Sequence, residues 1–597
     1  MTTDQIDHEA LREKYRIERD KRLRPDGASQ YIEPTGRFAD LASDPWAGDT
    51  TRDPVTDDVT VALIGAGFSG LCVGAQLRQA GITDVRLIDG AGDVGGVWYW
   101  NRYPGAMCDT AAMVYLPLLE ETGHMPTKKY VFGDEIFEHA QRIAKTFGLY
   151  DDTLFSTEVT SLEWDDDASR WVIETNRGDR FRAQFVAMGT GPMTIPKLPG
   201  IPGIEEFQGD TFHTARWDYG YTGGDRAGAP MENLADKRVG IIGTGATAVQ
   251  CIPPLARDSG ELFVFQRTPS SIDIRNNHAI DPDEFAELEP GWQQKWLTNF
   301  CTLQMAGFAE EDLVKDGWTD IAQRIRARVM DQLEHGAAPT PELFAQAYMD
   351  SDDEKMEEIR ARVDEIVNDP ATAEALKPWY RQLCKRPCFH DEYLQSYNIP
   401  TSHLVDTDGQ GVERIDETGV WANGEHYDLD TIIFASGFEV HLSHTAGYET
   451  VGRDGVALSD YWADGMRSLH GAHVHGFPNL FIIGLAHAAR LISNITHNLN
   501  EVGKSIGAVV AHAQSTGTAV VEASEQAEQA WMDLLDTAPD RMLSNPDCTP
   551  GYYNNEGQPI NEADRRNAAG YPAGAVAYFE FIDEWRQSGQ FEGLDFR

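Results

Sequence analysis

Residues 61–70 read VALIGAGFSG, an apolar run passing directly into G-x-G-x-x-G at Gly65, Gly67 and Gly70. Helical spacing follows through about Ala80, and then a second apolar strand, VRLID, which ends in Asp89, 24 positions after Gly65. In such a strand–helix–strand unit the glycines allow a tight turn and close approach to a pyrophosphate. The first helical turn, with Phe68 and Ser69, offers backbone N–H donors, and the terminal acid accepts from a ribose hydroxyl. A lone G-x-G-x-x-G is weak evidence. The complete unit predicts a dinucleotide-binding fold.

The same grammar recurs at KRVGIIGTGATAVQ (237–250), with Gly243, Thr244, Gly245, Ala246, Thr247 and Ala248 forming the turn. The partner strand ELFVFQRT (261–268) ends in Arg267 and Thr268, and Arg267 also stands 24 positions after its first glycine. One slot thus carries an acid in the first unit and a guanidinium in the second. An acid suits a ribose diol, whereas a guanidinium suits a 2′-phosphate. The expected ligands are FAD in the first unit and NADPH in the second. The expected fold class is α/β, with two Rossmann-like dinucleotide-binding domains.

Between the cradles, GGVWYWNRYPGAMCD (95–109) begins with two glycines that would let backbone lie close to a ring system. Gly96, Val97, Trp98, Tyr103 and Asp109 are candidates for contact with the flavin; core packing is the alternative for Trp98, Trp100 and Tyr103. The A-x-G-T-G at 187–191 predicts a return strand, and PKLPGIPG (196–203) a linker. Next comes FQGDTFHTARWD (207–218), a strap between lobes in which His213 either senses the nicotinamide or is a buried histidine satisfied by backbone. Residues 281–380 turn acid-rich and helical, predicting an insertion in the NADP lobe with a solvated charged face. DLDTIIFASGFEV (428–440) and GFPNLFIIG (476–484) predict strands, with a helix starting near Ser493–Asn494 aimed at the flavin.

The expected division is an arm over 1–57, FAD-binding segments at 58–200 and 396–597, and an NADP-binding segment at 201–395. Residues 8–24 fit an exposed helix laced with ion pairs. The rest of the arm has the composition of a disordered tail, but Tyr15, Tyr31, Phe38 and Trp46 favour packing along the body.

The chain of 597 residues exceeds one ordinary core, and its net charge of −46 (96 acids against 50 bases) repels nucleic acid and anionic lipid. No apolar run reaches the roughly 18–20 residues of a membrane span, and the polar N-terminus carries no leader, so a cytoplasmic enzyme is expected. Seven scattered cysteines predict reduced thiols. Cys384, Cys388 and His390 could be metal ligands, but no second ligand pair stands near, so no metal is expected.

The segment 207–218 has the form F-x-G-x-x-x-H-x-x-x-W-D, on Phe207, Gly209, His213, Trp217 and Asp218. It resembles the fingerprint of the type I Baeyer–Villiger monooxygenases. G-G-x-W-x-x-x-x-Y-P-G-x-x-x-D at 95–109 resembles a second signature of that family, and the likeness covers nearly the whole chain. The resemblance implies that FAD reduced by NADPH takes up O2 and, through a C4a-peroxyflavin, converts a ketone to an ester or lactone. It implies that Lys385 adds a second contact to the NADP phosphate, that Arg386 reaches the flavin, and that Asp109 holds Arg386. A roomy pocket for large cyclic or bulky ketones is implied as well. The chain departs from the family at Leu485 and Ala486, where a Gly-Pro is usual, and at Tyr552 and Tyr553, where many relatives carry a cofactor-contacting Trp. The run CTPGYYNNEGQP (548–559) is expected to order over NADP.

The nearest rival is a flavin monooxygenase oxidising nitrogen or sulfur centres, a class that usually lacks the Trp-Asp ending supplied by Trp217 and Asp218. A disulfide reductase would need a C-x4-C pair after the first cradle, and none follows. Two intact cradles with Asp109 and Arg386 argue against a non-enzymatic nucleotide-binding protein.

Overall fold

The computed structural model describes residues 6–48, 51–191, 193, 195–439, 447–490, 494–538 and 548–597. Two sheets organise them. In the first, strand Asp58–Ile64 lies between Val85–Ile88 and Arg180–Met188, parallel to both, and Leu480–Ile482 pairs with the end of Arg180–Met188. The second sheet has five parallel strands in the order Ser402–Asp406, Glu261–Gln266, Arg238–Ile242, Thr431–Phe434, Asp210–His213. Parallel strands covered on both faces need continuous apolar sequence. Val61–Ile64 and Val239–Ile242 supply it and are buried.

Helix Phe68–Gln79 packs along Ile495–Thr516. A Cβ at Gly503 would lie 3.2 Å from the Cys72 carbonyl oxygen, and one at Gly507 3.2 Å from that of Gln76. The two small residues let the helices approach closely. The long helix starts at Ile495 with Asn494 as its N-cap, and Ser493 lies outside the described residues.

The structure corrects four expectations. The NADP lobe does not end at 395: strands 402–406 and 431–434 belong to its sheet, and the chain rejoins the first sheet only at Glu449–Val451. The segment 207–218 is no free strap, because Asp210–His213 is the edge strand of that same sheet. The charge run of the insertion is partly interior. Helix Pro341–Ile366 buries Asp352 and Asp353, both on Arg381 Nη1 at 3.1 and 3.0 Å, and Lys355, 2.5 Å from Asp273 and 2.9 Å from Asp320. That buried face receives the arm. Helix His8–Asp20 places His8 2.7 Å from Asp353 and the Tyr15 hydroxyl 3.3 Å from Arg360, so one face is docked while the other stays exposed with its expected ion pairs, Arg16 on Glu13 and Asp20.

The fourth correction concerns sulfur. Cys384 and Cys548 form a disulfide, their Cα atoms 5.1 Å apart, within bridging range and beside buried Tyr380. Cys72, Cys108, Cys251, Cys301 and Cys388 are buried thiols.

Candidate functional site

The two cradles are built alike. Gly65 (φ +104°) and Gly243 (φ +117°) adopt backbone that L side chains rarely enter. A Cβ at Gly65 would stand 2.5 Å from the Gly189 carbonyl oxygen, and one at Gly243 2.6 Å from that of Ala435. In each lobe, then, the residue just past a neighbouring strand closes on the cradle. Helices Phe68–Gln79 and Ala246–Asp258 begin after Gly67 and Gly245, glycine caps with no side chain to accept from the helix N–H groups. Their first-turn N–H groups remain to meet an anion. A Cβ at Gly67 would lie 3.3 Å from Gly96 Cα, whereas one at Gly245 would meet nothing within 4 Å. The first cradle is roofed by Gly95 and Gly96 and the second is open. Both fit a dinucleotide pyrophosphate.

Around the first cradle much side-chain chemistry is already spent on the protein. Asp89 accepts from the Ala66 and Ala91 N–H groups at 2.5 and 2.8 Å, and burial raises its pKa. Ser69 Oγ donates to the Gly189 carbonyl at 2.8 Å, and Phe68 sets its ring edge-on to Tyr115. Val97 opens the short helix Val97–Trp100, in which Trp98 is buried and donates to the Tyr115 hydroxyl at 2.9 Å. Tyr103 reaches across to the second lobe and donates to Gln250 Oε1 at 2.8 Å. Gln250 also accepts from the Met107 N–H (3.2 Å) and donates to the Met107 carbonyl (2.7 Å). This glutamine staples lobe to lobe.

The second cradle sits beside a cluster of cations. Thr244 Oγ1 donates to the Thr268 carbonyl at 2.6 Å, which fixes the strand end carrying Arg267. Ala246 and Thr247 open the cradle helix half-buried, and Ala248 is buried beneath them. Arg267 donates to the Gln30 side chain from the arm. Burial, helped by the nearby Arg267 charge, pulls Lys385 down to about 8. Lys385 Nζ donates to the Pro550 carbonyl at 3.4 Å.

Next to Lys385 in sequence, Arg386 donates from Nη2 to Asp109 Oδ1 at 2.6 Å. Asp109 is 5% exposed, the Arg386 side chain 35%. The carboxylate holds the Arg386 pKa above its already high ordinary value, so the group is a permanent cation. Trp318, from the helical insertion, donates to the Asp109 carbonyl at 3.0 Å and presents its ring 5.7 Å from the guanidinium. Sequence reasoning missed Trp318 and Gln250. Nothing local marks the first; the second is a polar residue on the apolar face of the cradle helix.

The fingerprint residues brace the second sheet. Phe207 is fully buried. A Cβ at Gly209 would collide with the Asp430 carbonyl oxygen at 2.4 Å and with the Phe207 ring at 2.6 Å. Arg37 of the arm donates to the carbonyls of Phe207 and, at 2.9 Å, Gly209. Nδ1 of His213 accepts from the Ala215 N–H at 3.1 Å, and burial drives its pKa to about 3, leaving it neutral. Trp217 Nε1 donates to Thr222 at 3.2 Å, and Asp218 caps the turn Tyr219–Thr222 by accepting from the Tyr221 N–H at 3.0 Å.

Two dinucleotide cradles in one chain, with a buried carboxylate pairing a fixed guanidinium, are the features of a flavin- and nicotinamide-dependent oxidoreductase. A family model described as pyridine nucleotide-disulphide oxidoreductase matches residues 62–311. The chain is 50% identical to a protein of Streptomyces avermitilis named neopentalenolactone D synthase, over 99% of this chain and all of that one. It is 49% identical to a Baeyer–Villiger monooxygenase of Streptomyces coelicolor, over 98% of this chain and 96% of that one. The solved structure of a polycyclic ketone monooxygenase from Thermothelomyces thermophila superposes with a TM-score of 0.91 at 37% identity, covering 99% of each chain. The chain belongs to the Baeyer–Villiger monooxygenases: it uses FAD and NADPH to oxidise ketones with O2. Among the described residues, no helix is long and apolar enough to cross a membrane.

Proposed function

We propose that this enzyme converts bulky ring ketones to lactones, with Arg386 as the fixed cation of the reaction and Asp109 as the group that aims it. The observation carrying this reading is the 2.6 Å pair between them. It stands where the 95–109 segment, the helical insertion and the strand after Lys385 converge. When bound and reduced by NADPH, FAD would provide the electrons that activate O2. The protein's part is position and charge. Negative charge develops on the ketone oxygen as the carbonyl is attacked, and a preorganised cation stabilises it. Arginine keeps its proton at any working pH, so it cannot quench the oxidant. Asp109 is buried, and Trp318 and Arg386 hold it from two sides. Arg267 and Lys385 are assigned to the 2′-phosphate, Asp89 to the flavin-side ribose, and the two helix N-termini to the pyrophosphates.

Support for a bulky substrate comes from the names of the relatives, a polycyclic ketone monooxygenase and neopentalenolactone D synthase. The dependence on NADPH suits a cytoplasmic setting. The test is Arg386→Ala with NADPH and ketones from six-membered to macrocyclic and fused-ring, with lactones identified by mass. Anaerobic flavin reduction should persist while lactone formation falls by roughly 100-fold or more. A near wild-type yield of lactone would remove Arg386 from the role.

A further inference from the structure

The cations around the second cradle already face an anion of the chain itself. Glu556 lies in the turn Tyr552–Gly557, and its side chain is only 6% exposed. One carboxylate oxygen, Oε2, stands 3.9 Å from Arg267 Nη2 and has no hydrogen-bond partner. Burial lowers the pKa values of Lys385 and Lys197 and raises that of Tyr31, and the Glu556 carboxylate lies near enough to act electrostatically on all three. Three cations thus lie around Glu556: Arg267 at 3.9 Å, and Lys385 and Lys197 within electrostatic reach of both Glu556 and Arg267.

The loop holds Glu556 there deliberately. Both Asn555 and Glu556 adopt left-handed backbone (φ +51° and +52°), which is costly for non-glycine residues. Asn554 accepts from the Gly551 N–H and donates to the Thr549 carbonyl at 2.9 and 3.1 Å, tying the turn to itself. The Cys384–Cys548 disulfide anchors the start of the loop one residue from Lys385. A buried carboxylate oxygen without a donor costs free energy, so the fold spends stability to keep a negative charge among these cations.

We propose that Glu556 is a specificity-determining residue, an intramolecular anion that competes with the 2′-phosphate of NADP(H) for the seat formed by Arg267, Lys385 and Lys197. This rests on the assignment of Arg267 and Lys385 to that phosphate. A phosphate dianion and a carboxylate cannot share one small, partly desolvated seat without strong repulsion. Binding the phosphorylated cofactor must therefore push Glu556 out, and with it the turn 552–557 that carries Tyr552 and Tyr553. NAD(H), with no phosphate, leaves Glu556 in place. The residue thus links occupation of the phosphate seat to movement of the loop and taxes the affinity for NADP(H) alone.

The test is equilibrium binding of NADP+ and NAD+ to the oxidised holoenzyme, followed by flavin absorbance, for wild type, Glu556→Gln and Arg267→Ala. Glu556→Gln should tighten NADP+ on the order of tenfold and change NAD+ by less than about twofold. Arg267→Ala should weaken NADP+ and spare NAD+. If Arg267→Ala leaves NADP+ untouched, the phosphate assignment itself fails. If Arg267→Ala weakens NADP+ but Glu556→Gln leaves it unchanged or weaker, the competition is refuted while the assignment stands. Weaker NAD+ with Glu556→Gln would make Glu556 a ribose ligand and also overturn the proposal. Glu556→Ala, read the same way, replaces the glutamine variant should that one fail to fold.

Discussion

The charged residues proposed to serve the two cofactors are held in opposite ways. Arg386 is pinned by a buried carboxylate, which fixes its direction. Arg267 is held by the neutral side chains of Gln30 and Tyr31 and stands 3.9 Å from Glu556, so no carboxylate pins it closely. Lys385 is the tunable member. Burial first, and Arg267 second, pull its pKa down to about 8. Below that pH it is a cation that a phosphate would reward; above it, a neutral amine. NADP+ affinity should therefore fall as pH rises from 7 to 9.5 while NAD+ affinity stays nearly flat, and Lys385→Arg should flatten the NADP+ profile because arginine keeps its charge. Titrations with the two cofactors across that range decide it, and parallel profiles would remove Lys385 from the phosphate. The place of Arg267 just past the strand Glu261–Gln266 was legible in sequence because a strand end at a fixed offset is a local feature. Glu556, Gln30 and Trp318 were not, because each reaches the site from far along the chain and only the fold brings them together.

The elements show the same divide. Each strand–helix–strand unit announces itself by apolar runs and glycine spacing, and both formed as expected. The fingerprint, by contrast, looks like a connector because it follows a proline-rich linker, yet Asp210–His213 is a strand. Four residues are too few to show a period, and the partner, Thr431–Phe434, lies more than 200 positions away. The insertion misled for a related reason. Alternating acids and bases on Pro341–Ile366 suggest solvent, but the neutralising partners of Asp352, Asp353 and Lys355 come from other segments. Gly209 tests what the fingerprint strand does. With a carbonyl 2.4 Å and a ring 2.6 Å from a would-be Cβ, Gly209→Ala must move the strand edge or the Phe207 ring. The expected cost is about 1–3 kcal/mol, seen as a lower Tm with FAD still bound. An unchanged Tm would mean that the segment tolerates the side chain and that its glycine serves something other than packing.

The molecule as a whole sets a field against its own cofactor. The net charge is −46, NADPH is an anion, and yet the seat proposed for its phosphate, made of Arg267, Lys385 and Lys197, is locally cationic. Salt separates the two effects by range. At 10 mM ionic strength the Debye length is about 30 Å, so an approaching NADPH feels the whole negative body; at 0.15 M it is about 8 Å, and only the seat is felt; near 1 M, at about 3 Å, the seat too is screened. The association rate of NADPH, measured by stopped-flow under anaerobic conditions, should therefore rise between the first two conditions and fall toward the third. Arg267→Ala should keep the rise, which belongs to the whole surface, and lose much of the fall, which belongs to the seat. A rate that declines steadily from the lowest salt would mean that the local cations dominate at every distance and that the acidic surface is too remote from the entry path to matter.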